Sequence, residues 1–211
     1  MKTEDLITRL AAEPAAPAYD DRRTMAFAFL AIAVCVAIFL ALAGPRPDLV
    51  AALTDPHVLP KTLLPALAFA IVLPELPRLA HPEGADETRL WRLALPVLLE
   101  VGLYIYTLFD PAYRAQFTQP GLFGIVQCLG LQASIGAIPV VVAVRLLRRG
   151  AVASPKFAGT VAGFVAGTGT AAGYSLWCTR DNPLFYLLWY GVAITIATLA
   201  GRYLGSRWLK W

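Results

Sequence analysis

The chain has 211 residues, 58% of them hydrophobic and only 15% charged, with a formal net charge of +4. A mean hydropathy of +0.61 excludes an ordinary soluble domain. The basic excess invites a nucleic-acid reading, but the placement of the basic residues along the chain excludes direct nucleic-acid binding, as follows.

The apolar residues are blocked rather than alternating, in six runs at about 23–43, 63–79, 90–109, 123–147, 157–177 and 184–204. Each matches the length a helix needs to cross a bilayer core. With the N-terminus placed inside, fourteen of the 18 Lys and Arg fall on the inner side. Only Arg46, Lys61, Arg114 and Arg180 fall outside. This asymmetry puts both termini in the cytoplasm. The expected fold is therefore all-α: a polytopic bundle of six transmembrane helices in contact with membrane lipid (residues 22–211), preceded by a cytoplasmic segment (residues 1–21).

In that leading segment Thr3 is a candidate N-cap, with Glu4 and Asp5 in the first turn where the helix dipole favours acids. Leu6, Ile7 and Leu10 form a small apolar face at helical spacing, and Pro14 and Pro17 end it. A helix this short is marginal alone in water. It either folds on a protein partner, with its apolar face in a groove, or rests on the membrane surface.

The first run holds Cys35, a lone thiol among Ala, Val and Ile that reads as a small core hydrophobe. Ala41-Leu42-Ala43 resembles a signal-peptidase site, but the apolar run ahead of it is too long, and an uncleaved span is expected. His57 and His81 fall in loops on opposite sides and cannot share a metal. The second run is interrupted by Pro65, Pro74 and Pro77. Its Glu75 reads either as a carboxylate at a broken helix on an ion path or as a frayed end reaching cytoplasmic water.

The third run carries Glu100 near mid-membrane, where a carboxylate is a functional candidate by default. Gln127 and Gln132 on the fourth run are candidate partners. The alternative function that follows is a small transporter or channel using Glu100. The fourth run also holds Cys128, about one turn inside its outer end, and closes with Arg145, Arg148 and Arg149.

Residues 157–190 organise the rest. Gly159, Gly163 and Gly167 recur every fourth residue, with Gly169 and Gly173 one face round, leaving strips on which another helix can pack closely. The turn Cys178-Thr179-Arg180-Asp181-Asn182-Pro183 is too short to cross anything, so the fifth and sixth helices are antiparallel neighbours. Cys128 and Cys178 then both lie toward the oxidising periplasmic face. They are either a pair or two free buried thiols. A bridge would close a loop of about fifty residues, restraining the chain by roughly 4 kcal/mol in the entropy model. No Cys-x-x-Cys, His-Glu-x-x-His, Gly-x-Ser-x-Gly or phosphate-cradling loop is present, so neither an enzyme nor a cofactor is expected.

An ordered set of residues resembles the NrsF family of six-span anti-sigma factors from Gram-negative bacteria. It runs from Met1-Lys2-Thr3-Glu4-Asp5-Leu6-Ile7 through Cys128 to Pro139, then Arg148-Arg149-Gly150-Ala151 to Pro155, Gly159 and Gly163. It closes with Tyr174 to Cys178, Asp181, Phe185, Trp189-Tyr190 and Leu209-Lys210-Trp211. The resemblance implies an inner-membrane protein that holds an extracytoplasmic-function sigma factor. It also implies that Cys128 and Cys178 sense heavy-metal or oxidative stress, with a metal as one candidate ligand of the two thiols. Asp5, Leu6, Ile7 and Leu10 are the expected sigma-binding residues. Two positions depart from the family pattern: Thr179-Arg180 replaces a more acidic turn, and Lys210 stands where Arg is common.

Overall fold

The computed structural model describes residues 3, 19–84, 88–117 and 121–210, the side chains of 116 and 117 excepted. The candidate sigma-binding residues Asp5, Leu6, Ile7 and Leu10 lie outside the described residues. Every regular element described is helical.

Helix α1 (Asp21–Ala43) starts at Asp20, whose side chain accepts the Arg23 N–H at 3.0 Å. It stops at Gly44, whose φ of 77° disfavours any residue with a Cβ. Its buried residues are Thr24, Ala28 and Ile32, one stripe at a spacing of four. Phe27, Phe29 and Leu30 on the other faces are exposed, as suits a helix surrounded largely by lipid.

A short helix α2 (Leu49–Thr54) leads to α3 (Leu59–Val72), which continues through two 3-10 turns, Leu73–Glu75 and Pro77–Ala80. Pro74 and Pro77 lack the N–H an α-helix would use there, so the chain tightens instead of breaking. Glu75 is 3% exposed, takes a hydrogen bond from Arg78 Nη1 at 2.9 Å and caps the Arg89 N–H at 3.2 Å. Neither expected setting for this carboxylate, an ion path or a hydrated frayed end, is found; it is a buried pair that closes the helix. His81 meets Asp21 at 2.9 Å and so ties this end to the start of α1.

Helix α4 (Ala94–Phe109), entered through the 3-10 turn Leu90–Leu93, buries only Pro96 and Thr107. After α5 (Pro111–Phe117) come α6 (Leu122–Leu147), α7 (Pro155–Ser175) and α8 (Pro183–Trp208).

Among the described residues five stretches are long and apolar enough to cross a membrane: Asp21–Ala43, Leu59–Ala80, Leu90–Phe109, Leu122–Leu147 and Pro183–Trp208. Helix α7 falls short on hydropathy because its residues are small rather than because it is exposed to water. Fourteen of its 21 residues are buried, and it packs against α1, α3, α6 and α8. A helix enclosed by other helices needs small side chains, not lipophilic ones.

The α7–α8 contact is the most extensive among the described residues. A Cβ on Gly159 would overlap the Gly201 carbonyl and stand 2.8 Å from Gly205 Cα. One on Gly163 would overlap Ala197 O, and one on Gly167 would lie 3.0 Å from Ala197 Cβ. The second strip serves another neighbour: a Cβ on Gly169 would meet Ile32 at 3.0 Å, and one on Gly173 would meet Val36 at 2.5 Å, both on α1.

Two apolar clusters result. One gathers Ile32, Leu76, Leu147, Ala162 and Leu209 near the Arg148 end of the bundle. The other gathers Leu64, Cys128, Tyr174, Cys178, Phe185 and Tyr190 at the opposite end.

Candidate functional site

Cys128 projects from the first turns of α6, and Cys178 sits in the α7–α8 turn. Both are free thiols, 1% and 3% exposed, in the same cluster. The structure therefore brings these two together, and leaves Cys35 half-buried in α1 outside that cluster.

Tyr174 closes the arrangement. It lies one turn before Cys178 and packs in the same cluster, with its hydroxyl near the thiols of both Cys178 and Cys128. Gln132, one turn along α6, donates from Nε2 to Cys128 Sγ at 3.2 Å. Its own Oε1 is buried without a partner. Tyr190 of α8 stacks edge-on against Tyr174, with ring centroids 5.8 Å apart. Its hydroxyl is buried, with the weakly bonding Cys178 thiol beside it.

Above the thiols, the turn is clamped by cations from elsewhere in the chain. Lys61, 1% exposed, donates to the Cys178 carbonyl at 2.5 Å, to the Arg180 carbonyl at 3.0 Å and to Asp181 Oδ1 at 3.1 Å. Arg46 donates to the Cys178 carbonyl at 3.2 Å and makes a two-pronged bond to Asp181 at 2.8 and 2.6 Å. It also grips Asp48 through Nε and Nη2, both at 2.8 Å. The Arg46 N–H donates to Leu176 O at 3.0 Å.

The charges answer one another. Burial raises the Asp181 carboxyl, but hydrogen bonds from Arg46 and the nearby Lys61 charge outweigh it and hold the group below the usual carboxylate range. Hydrogen bonds from Arg46 hold Asp48 down at about 2. Arg46 is in turn held more firmly protonated by its bonds to Asp181 and Asp48. A buried lysine with carbonyl and carboxylate partners is satisfied rather than stranded.

Arg180, at one of the two positions departing from the family pattern, also has a structural place. Its guanidinium stacks over Phe185 at 5.5 Å and lies against Gly124 of α6, where a Cβ would come within 2.5 Å of it. Three of the four basic residues assigned to the outside thus hold the Cys178 turn. Their isolation on the sparsely charged side was the sequence signal; Asp181 as their common partner was not readable from spacing.

Glu100 is separate from this site. It faces Gly191 of α8, where its Oε1 lies 3.9 Å from a Cβ position, and it meets neither expected glutamine: Gln132 bonds Cys128, and no bond to Gln127 forms.

Comparison with known sequences settles the family. The family model described as "Negative regulator of sigma F", NrsF, matches residues 10–211. The chain belongs to the NrsF family. One relative in this family, the "Probable anti-sigma-F factor NrsF" of Azospira oryzae, is 32% identical over the whole of both chains. Another, the "Anti-sigma-F factor NrsF" of Caulobacter vibrioides, is 27% identical, again over both full lengths. No solved structure matches. The thiol cluster and its clamp are therefore features of an NrsF-family bundle, and the descriptions of the relatives are regulatory rather than enzymatic.

Proposed function

We propose that this chain is an inner-membrane anti-sigma factor of six spans, with both termini cytoplasmic. It holds an extracytoplasmic-function sigma factor and releases it when Cys128 and Cys178 are oxidised or capture a metal. Family membership supports the sigma partner. Helix α7 supplies the sixth span: 21 residues at 1.5 Å each reach about 31 Å, the thickness of a bilayer core.

The observation that carries the sensing claim is the burial of two free thiols from different elements in one cluster, with Tyr174 beside both. A disulfide, or a metal held by both sulfurs, brings the thiols into direct partnership. Cys128 rides on α6 and Cys178 on the α7–α8 turn, so the new bond shifts α6 against the hairpin. The glycine-packed hairpin moves as one body, because its backbones are in contact from Gly159 to Gly167. The shift therefore reaches the far end, beside Arg148 and Lys156, where the sigma factor is held with the help of Asp5, Leu6, Ile7 and Leu10. A hundredfold loss of sigma affinity requires about 2.7 kcal/mol of difference between the two states.

Affinity capture from solubilised membranes tests the partner claim. The full chain is expected to retain a sigma factor, and a form lacking residues 1–12 is expected to lose it. Equal recovery from both forms rejects the N-terminal assignment.

A further inference from the structure

Beside the thiol cluster is a cavity of about 210 Å³ between α3, α4, α7 and α8, with Leu64, Pro96, Glu100, Tyr190 and Gly191 among its walls. At Glu100, Leu187 and Gly191 it adjoins a wider hollow of about 440 Å³. That hollow ends at Val101, Leu188 and Ile196, apolar side chains exposed on the outside of the bundle. In a membrane protein such side chains face lipid, so the cavity is reached from within the bilayer.

Two polar groups in this site, whose walls also carry Lys61, Thr168, Tyr186 and Thr195, want partners. The Tyr190 hydroxyl is buried with only the weakly bonding Cys178 thiol beside it. Glu100 has no hydrogen bond or ion pair among the described residues. A lipid acyl chain would fill the space and leave both unsatisfied, which is unfavourable in a dry site. The thiols supply a second observation. At 1% and 3% exposure they are shielded from bulk water, and Leu64, Tyr186, Leu187 and Tyr190 wall both the thiol cluster and the cavity. An electron acceptor held in that cavity is separated from them by those shared side chains alone.

We propose that the cavity binds the ring of a membrane quinone, which accepts the electrons of Cys128 and Cys178. An apolar hole of about 150 Å³ is enough for benzene, so this one holds a substituted ring, with the isoprenoid tail leaving through the wider hollow. The quinone carbonyls accept from Tyr190, and the quinol hydroxyls donate to Glu100. In the reaction both S–H bonds break and one S–S bond forms. Two electrons and two protons pass to the quinone, whose two C=O groups become C–OH. The binding site stands on the cavity alone, whereas the electron transfer rests on the sensing role given to the two thiols.

The test uses full-length protein in nanodiscs, with decylubiquinone as the probe and quenching of tryptophan fluorescence as the readout. Binding is expected to saturate, and Gly191→Leu, which adds bulk at the wall the cavity shares with the wider hollow, where a Cβ meets only Glu100 Oε1 at 3.9 Å, should weaken it at least tenfold. Under anaerobic conditions one decylubiquinone should be reduced for each two thiols lost. Unsaturable quenching, the same in Gly191→Leu as in the parent, overturns the site. Saturable binding with both thiols still free overturns the electron transfer. Diamide, an oxidant that needs no site, separates the readings: it should oxidise the thiols and release the sigma factor in the parent and in Gly191→Leu alike. That result also shows that the variant is folded. Failure of diamide to release sigma from the parent rejects thiol sensing and leaves quinone binding to be judged by the quenching alone.

Discussion

Arg46 and Asp181, 135 positions apart, are joined by two parallel hydrogen bonds of 2.8 and 2.6 Å. The pair fixes the turn that carries Cys178 to the loop that follows α1. With the Arg46 side chain 3% exposed and that of Asp181 30% exposed, the contact is more than a surface ion pair and less than a fully desolvated one. Removing one partner leaves the other charge uncompensated. Arg46→Ala is expected to cost about 3 kcal/mol, the low end for a buried pair, and to raise the rate at which a maleimide reaches Cys178. The check is labelling rate against thermal melting. An unchanged labelling rate in a stably folded variant contradicts the clamp.

The glycine strip predicts position-dependent sensitivity to bulk. Gly163→Leu would drive a side chain into the Ala197 carbonyl and Thr198 Cα of α8. Separating the two backbones should cost about 1–3 kcal/mol or prevent the hairpin from closing. Gly130→Leu on α6 meets nothing within 4 Å and should be neutral. Melting temperatures of the two variants in the same detergent decide the matter, and equal values count against the packing described.

Tyr174→Phe keeps the ring and removes the hydroxyl that lies near both thiols. The ring contacts with Phe39, Trp177 and Tyr190 should hold the fold in place. Loss of that neighbour should change the alkylation rates of Cys128 and Cys178 together by several-fold, with stability altered by no more than about 1.5 kcal/mol. Site-resolved mass spectrometry reads both rates at once. A change confined to one cysteine contradicts a hydroxyl placed near both.

The acid side of the clamp sets a pH window. Asp181 and Asp48 both have folded-state values below the ordinary carboxylate value near 3.9, Asp48 at about 2. Groups depressed on folding contribute stability that is complete above the unfolded value and fades as pH falls through the folded one. Cys178 should therefore stay protected from neutral pH down to about 4 and become accessible below it. Dithiodipyridine, which reacts with thiols in acid, measures this. A rise in accessibility between pH 7 and pH 5 has no source in these two carboxylates.

The parts of this architecture legible in the sequence were those set by local pattern. Apolar run length marked the long helices, and the four-residue glycine repeat identified α7 as the helix that others approach closely. The brevity of the 178–183 turn paired α7 with α8 without any long-range information. What stayed hidden depended on contacts between distant residues. Arg46 and Lys61 stood out only as basic residues on the sparsely charged side, since nothing in their neighbourhoods names Asp181 or the Cys178 carbonyl as partner. Glu75 gave the wrong expectation because its partner Arg78 and the Arg89 N–H act only after two prolines have tightened the backbone into 3-10 turns. Tyr174 and Tyr190 entered only as part of an ordered set of residues, and their place beside the thiols needed the three-dimensional approach of α6.

The most direct test of thiol sensing is sigma retention by cysteine variants before and after oxidant or cadmium. Full-length parent, Cys128→Ser and Cys178→Ser proteins are captured from solubilised membranes, and the sigma factor recovered with each is quantified. The account predicts that all three hold sigma in reducing buffer, and that only the parent gives it up after exposure. Release from both serine variants as complete as that from the parent would contradict it.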